Sequence, residues 1–146
     1  MTTVTRTFTV RPDPAAVLAY LEDFSHAEEW DPGTVSCTRE DSGPIRVGSR
    51  FHNVSRIAGI STELTYTLER RDETTVEFQG SNDSATTSDT ITVVPAPDGT
   101  GSEITYTAVI SMKGVAKLAD PAMKLVFEKI GNDTVESMTR ALDELA

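Results

Sequence analysis

Residues 104–112, ITYTAVISM, alternate, whereas residues 120–145, DPAMKLVFEKIGNDTVESMTRALDEL, do not. In the first segment Ile104, Tyr106, Ala108, Ile110 and Met112 fall on one side and Thr105, Thr107 and Ser111 on the other. That period of two is the mark of a half-buried β-strand. In the second, Met123, Phe127, Ile130, Thr134, Met138, Ala141 and Leu145 recur every three or four residues, with Val126, Val135 and Leu142 beside them. Lys124, Glu128, Lys129, Asp133, Glu136, Arg140 and Asp143 take the opposite side, so the segment is an amphipathic helix. Asp120 suits its N-cap and Pro121 its first turn. A strand with one dry face followed by a helix with one dry stripe predicts a helix laid on a sheet. Gly131 interrupts the helix at a cost of up to ~1 kcal/mol relative to alanine. Close packing against the sheet or a ligand would explain it, as would a tolerated cost.

Upstream, the period of two holds from Thr34 to Met112. Asp41-Ser42-Gly43-Pro44, Ala58-Gly59, Arg71-Asp72-Glu73, Gly80-Ser81-Asn82-Asp83 and Pro95 to Gly101 divide this stretch into six strands. Several breakers are short enough for hairpins, which predicts an antiparallel meander. Leu64, Tyr66 and Leu68 share a side of the Ser61 to Glu69 strand, so the sheet is dry on one face and wet on the other. Ahead of it, Thr3 to Val10 reads as a first strand. Asp13 and Pro14 then cap and start a short helix, Asp13 to Glu22, bearing Val17, Leu18, Tyr20 and Leu21. A second short helix is expected from Ser25, with Glu28 as its capping-box partner, ending near Trp30 because Asp31-Pro32-Gly33 cannot continue it. There is no repeat and no low-complexity tract. The expected fold is α+β: a seven-stranded curved antiparallel sheet wrapped around a long C-terminal helix, with two short helices between strands one and two, in one domain over residues 1–146.

Bulk composition narrows the function classes. With 38% hydrophobic and 25% charged residues the chain is globular in character. Its 23 acidic and 13 basic side chains leave a net charge of −10. That balance argues against nucleic acid, which demands basic side chains, and against stable association with an anionic membrane. The N-terminal residues lack the apolar core of a signal peptide, and no segment has the ~20 apolar residues of a membrane span. Cys37 is the sole cysteine, so an internal disulfide is excluded and a reducing compartment, the cytoplasm, is expected. His26 and His52 lie at no metal-binding spacing, so neither a metal nor any other cofactor is expected.

In order and spacing, strand, two short helices, six strands and long helix, the chain resembles the START-like superfamily and its bacterial polyketide cyclase/dehydrase and lipid-transport proteins. Those proteins share an architecture called the helix-grip. The residues that carry the resemblance are Val17 to Phe24, Glu29-Trp30-Asp31-Pro32-Gly33, Val47-Gly48-Ser49-Arg50-Phe51, Leu64-Thr65-Tyr66, Asp89-Thr90-Ile91-Thr92-Val93 and the Lys113 to Pro121 approach to the last helix. The resemblance implies a cavity between sheet and helix for a lipid, polyketide or other hydrophobic small molecule. In a minority of members that cavity performs cyclisation or dehydration. It also implies that the turn at Trp30 sits at the cavity mouth. Monomer and homodimer both remain open.

The residues themselves add one further signal, polar groups on faces that should be dry. Asn53 and Ser55 share a side with Phe51 and Ile57, Thr87 and Asp89 share one with Ile91 and Val93, and Thr62 precedes Leu64 and Tyr66. An unpartnered buried polar group costs roughly 1–3 kcal/mol, so these positions form either a polar patch in the cavity or a solvated rim. Trp30, Phe51, Phe78, Tyr106, Ala108, Phe127 and Met138 complete the expected lining. Asp89 is the candidate acid or base, because burial raises a carboxylate's pKa, with Tyr66 or Tyr106 to orient a carbonyl. The bland alternative pairs Asp89 with Arg39, Arg50 or Arg56. A binding protein is the first reading and a cyclase, aromatase or dehydratase the second.

Overall fold

The computed structural model describes residues 1–114 and 120–146, the side chains of 120–122 excepted. The capping roles read for Asp120 and Pro121, and most of the approach from Lys113 to Pro121, therefore lie outside the described residues. Strand β1 (Thr2–Val10) leads into helix α1 (Pro14–Leu21), a 3-10 turn (Phe24–His26) and the short helix α2 (Ala27–Trp30). Six strands follow: β2 (Thr34–Arg39), β3 (Arg50–Ile57), β4 (Ile60–Arg71), β5 (Thr75–Ser81), β6 (Ala85–Pro95) and β7 (Ser102–Met112). Helix α3 (Asp120–Asp143) ends the fold. The strands form one curved sheet in the order β1-β7-β6-β5-β4-β3-β2, and every neighbouring pair is antiparallel. Hairpins connect β3 through β7 in sequence, while β1 pairs with the distant β7, Thr2 opposite Ile110 and Val10 opposite Ser102. No described helix is long and apolar enough to cross a membrane.

The caps follow from local chemistry. Asp13 accepts from the Ala16 amide at 2.9 Å, and Pro14 holds the first turn of α1. The second helical segment departs from expectation. Its cap is Asp23, whose carboxylate accepts from the Ser25 amide at 3.0 Å and the Ser25 hydroxyl at 2.6 Å. A carboxylate two residues earlier starts the turn before Ser25 can. Glu28 is thereby freed to accept from the Cys37 amide at 2.8 Å, tying α2 to β2. Gly80-Ser81, expected in a turn, belongs to β5. The turn is tightened by Asn82, whose side-chain oxygen accepts from the Ser84 and Ala85 amides at 2.8 Å each. Leu145 falls beyond the helix end and is exposed.

Helix α3 packs against β1 and α2 and divides its apolar stripe between two clusters. Met138 and Leu142, in its C-terminal half, join the main core with Leu21, Phe24, Trp30, Phe51, Phe78 and Ile104. Phe127, in its N-terminal half, joins a smaller cluster with Val4 and Ile110. Gly131 lies between, and close approach explains it: a Cβ there would stand 2.5 Å from the Val4 side chain. Gly131→Ala is accordingly expected to destabilise the protein by about 1–3 kcal/mol despite the better helix propensity of alanine, because Val4 is itself buried and cannot step aside. Urea unfolding of the variant measures this, and a gain in stability would contradict the packing.

Candidate functional site

The gradient of side-chain size along β6 and β7 creates a hollow. At one end the inner face carries Ile91, Val93 and Ile104, which belong to the main core beneath α1. At the other it carries Ala85, Thr87 and Ala108, too small to reach α3. A cavity of about 540 Å³ results, roofed by Met123, Phe127, Ile130, Gly131 and Thr134 of α3. Its walls come from Val4 of β1, Ser55 and Ile57 of β3, Leu64 and Tyr66 of β4, Thr87 and Asp89 of β6, and Tyr106, Ala108 and Ile110 of β7. Aliphatic and aromatic groups dominate, with a few polar groups among them, which is the make-up of small-molecule sites generally.

Those polar groups are ordered. Tyr106 donates its hydroxyl hydrogen to Asp89 Oδ1 at 2.6 Å. Burial pushes the Asp89 carboxyl up to about 7, and the charge of Asp31 adds to the effect while the bond from Tyr106 opposes it. Burial raises both Tyr66 and Tyr106 well above the ordinary phenol range, and the charge of Asp89 raises them further. The Tyr66 oxygen accepts from the Thr87 hydroxyl at 3.1 Å. Its ring lies over Gly80, where a Cβ would come within 2.7 Å of the ring edge; only glycine leaves room for this pose. Asp31 accepts from the Gly33 amide at 3.0 Å and the Thr34 hydroxyl at 2.8 Å, yet its burial still raises its pKa. From it a chain of bonds runs back into β3. Asn53 donates to Thr34 at 3.0 Å, and Ser55 donates to Asn53 at 2.5 Å. A carboxylate poised near neutrality beside a phenol is able to accept or deliver one proton to a molecule held in the cavity.

Of the residues singled out from sequence, Ser55, Thr62, Leu64, Tyr66, Thr87, Asp89, Tyr106, Ala108 and Phe127 come together in this wall. Asn53 stands one hydrogen bond behind it. Trp30, Phe51, Phe78 and Met138 do not line it; they are packed in the main core, each no more than 1% exposed. For the three aromatic residues the reason is Phe24, whose ring packs against each of them and fills the space a ligand would need, while Met138 joins the same core. Trp30 is therefore not at a mouth but edge-on to Tyr106 with centroids 6.0 Å apart, and its indole N–H is buried without a partner among the described residues. Nor does Asp89 pair with arginine. Arg39 is bound to Asp41, and Arg50 and Arg56 point to solvent. Sequence reasoning did not name Val4 or Asp31 as lining, and it left Gly131 open between close packing and a tolerated cost. Asp31 was read as a helix breaker within the turn expected at the mouth, although Asp-Pro-Gly is the signature of a carboxylate that caps its own turn. For Val4, the mid-helix glycine was the available signal.

A family model described as "Polyketide cyclase / dehydrase and lipid transport" matches residues 1–146. No curated protein matches the sequence. Among solved structures, a START superfamily protein from Mycobacterium smegmatis superposes with a TM-score of 0.81 at 13% identity, covering 99% of each chain. A protein from Thermus thermophilus reaches a TM-score of 0.75 at 15% identity, covering 98% of this chain and 95% of that one. The Zhui aromatase/cyclase of a Streptomyces species gives 0.74 at 12%, covering 97% and 91%. At such identities the structures speak for the fold alone, a START-like helix-grip. The match over every residue goes further: the chain belongs to the polyketide cyclase / dehydrase and lipid transport family.

Proposed function

We propose that the protein binds a hydrophobic small molecule, a lipid, polyketide or aromatic compound, in the cavity beneath the N-terminal half of α3. The observation that carries this reading is the unfilled, mostly apolar volume of about 540 Å³ between the sheet and α3. Burying ~300 Å² of apolar ligand surface yields about 7 kcal/mol gross at ~25 cal/mol per Å². Association costs reduce that to micromolar affinity or weaker. The lone, buried Cys37 suits the cytoplasm as the working compartment.

A test fills the hollow. Ala108→Trp places a large ring in the cavity, and Nile red, a neutral apolar dye, is then expected to bind at least about tenfold more weakly, by loss of the pocket itself. Unchanged dye affinity in a folded variant would refute the site. Native mass spectrometry of protein purified from its own host would identify the natural occupant.

A second reading, a cyclase, aromatase or dehydratase, is favoured by one observation: the Asp89 and Tyr106 pair faces the same volume. The resemblance to an aromatase/cyclase fold is compatible with it but adds no residue.

A further inference from the structure

We infer that the cavity selects hydrophobic amines: its occupant carries an apolar body and a cationic or N–H-donating head placed against Asp89, and carboxylates and phosphates are excluded. This deepens the binding reading above and rests on it.

The argument begins with which charges face the hollow. Asp31, from the turn after α2, and Asp89, from β6, both line it. Among the described residues no lysine, arginine or histidine does. The other titratable groups that face Asp89 are phenols, Tyr66 from β4 and Tyr106 from β7. The described lining of α3 offers none; its single hydroxyl, Thr134, donates to the Ile130 carbonyl at 2.8 Å. An anion entering here meets two carboxylates and, among the described residues, no counter-charge.

The two carboxylates are not equivalent. Both oxygens of Asp31 are engaged, one by Gly33 and one by Thr34, so this side chain serves its turn. Asp89 is only 7% exposed, and among the described residues just one of its oxygens has a partner, the Tyr106 hydroxyl. Its Oδ2 accepts nothing from the described residues and opens on the cavity. An acceptor without a donor among the described residues, reached only through a mostly apolar volume, is what an ammonium or amide N–H would complete. Burial raises the Asp89 carboxyl, with the charge of Asp31 adding to it, and a cationic ligand would oppose both.

The test uses the full chain and three ligands of one shape, naphthylmethylamine, naphthylmethanol and naphthoate, each displacing Nile red. The amine is expected to bind about 10–100-fold more tightly than naphthoate, with the alcohol between, as charge-assisted hydrogen bonds predict. Between about pH 6 and about pH 8 the amine should tighten as Asp89 ionises, while naphthoate weakens. In Asp89→Asn, shown to be folded by a cooperative unfolding transition, the ratio of amine to naphthoate affinity should contract by about tenfold or more. Naphthoate binding as well as the amine, or a ratio unmoved by Asp89→Asn, would overturn the inference while leaving the binding reading intact. Failure of Nile red itself to bind would instead remove the binding reading, and this inference with it.

Discussion

Phe24→Ala is expected to cost about 3–5 kcal/mol, lowering the thermal midpoint by about 10–15 °C in a chain of this size. Phe24 is 1% exposed and sits at the centre of an aromatic cluster. Its ring centroid lies 4.5 Å from those of Tyr66 and Phe78, 5.8 Å from Trp30 and 6.1 Å from Phe51. Four partners therefore lose contacts at once, and the surrounding strands are held in a hydrogen-bonded sheet that cannot collapse to refill the space. Because Tyr66 touches Phe24 on one side and lines the cavity on the other, the void should merge with the ligand space behind that ring. The variant should admit larger apolar dyes than the wild type even as it unfolds at lower urea. A loss under about 1 kcal/mol would mean that Phe24 does not separate core from cavity.

The second large effect is one of pH. Asp89 has its carboxyl raised from the usual carboxylate range to about 7, so the folded state holds a proton that the unfolded state releases. Stability from this group is complete below about pH 4, declines as pH rises, and is lost once pH passes about 7. The full swing is at most about 4 kcal/mol. Asp31, also raised by burial, contributes with the same sign. Asp41 and Asp72 are shifted downward by bonds to Arg39, Arg70 and nearby amides, so their support is present at neutral pH and fades only in stronger acid. Asp89→Asn cannot ionise. Urea midpoints of this variant should therefore stay nearly level between about pH 4 and about pH 8, with only the Asp31 slope remaining, and should exceed wild type at the upper end. Parallel curves for the two proteins would show that Asp89 does not titrate in this window. The same variant bears on chemistry: an enzyme that uses this carboxyl should lose about 10²–10⁴-fold in turnover, whereas a carrier keeps the shape and apolar wall that hold a neutral ligand.

The fold was legible because alternation and helical spacing are local properties. The threonines that face outward on β7, and the charged side of α3, assign faces without knowledge of any partner. The location of the hollow was only half legible, since a pattern shows which side of a strand is dry but not what meets it. Phe78 and Tyr66 alternate alike and Phe24 packs on both, yet only Tyr66 reaches the cavity. Trp30 and Met138 were misplaced because a dry face does not reveal whether core or cavity covers it. The run of small inner-face residues, Ala85, Thr87 and Ala108, was the one local clue to where volume would be left over. Asp89 was legible because a carboxylate among Ile91 and Val93 needs an explanation; its phenol partner was narrowed to two tyrosines, and the structure selects Tyr106.

The pairing of β1 with β7 has a consequence for biosynthesis. Thr2 finds its neighbour at Ile110, so β1, once it has left the ribosome, waits through roughly 100 further residues for its partner β7. At ~5–20 residues per second that is a delay of about 5–20 s. Throughout it the nascent segment is an exposed edge, open to pairing with any other β-chain. Its alternate threonines, Thr3, Thr5, Thr7 and Thr9, make it polar on one side, a modest protection during the interval before the sheet closes.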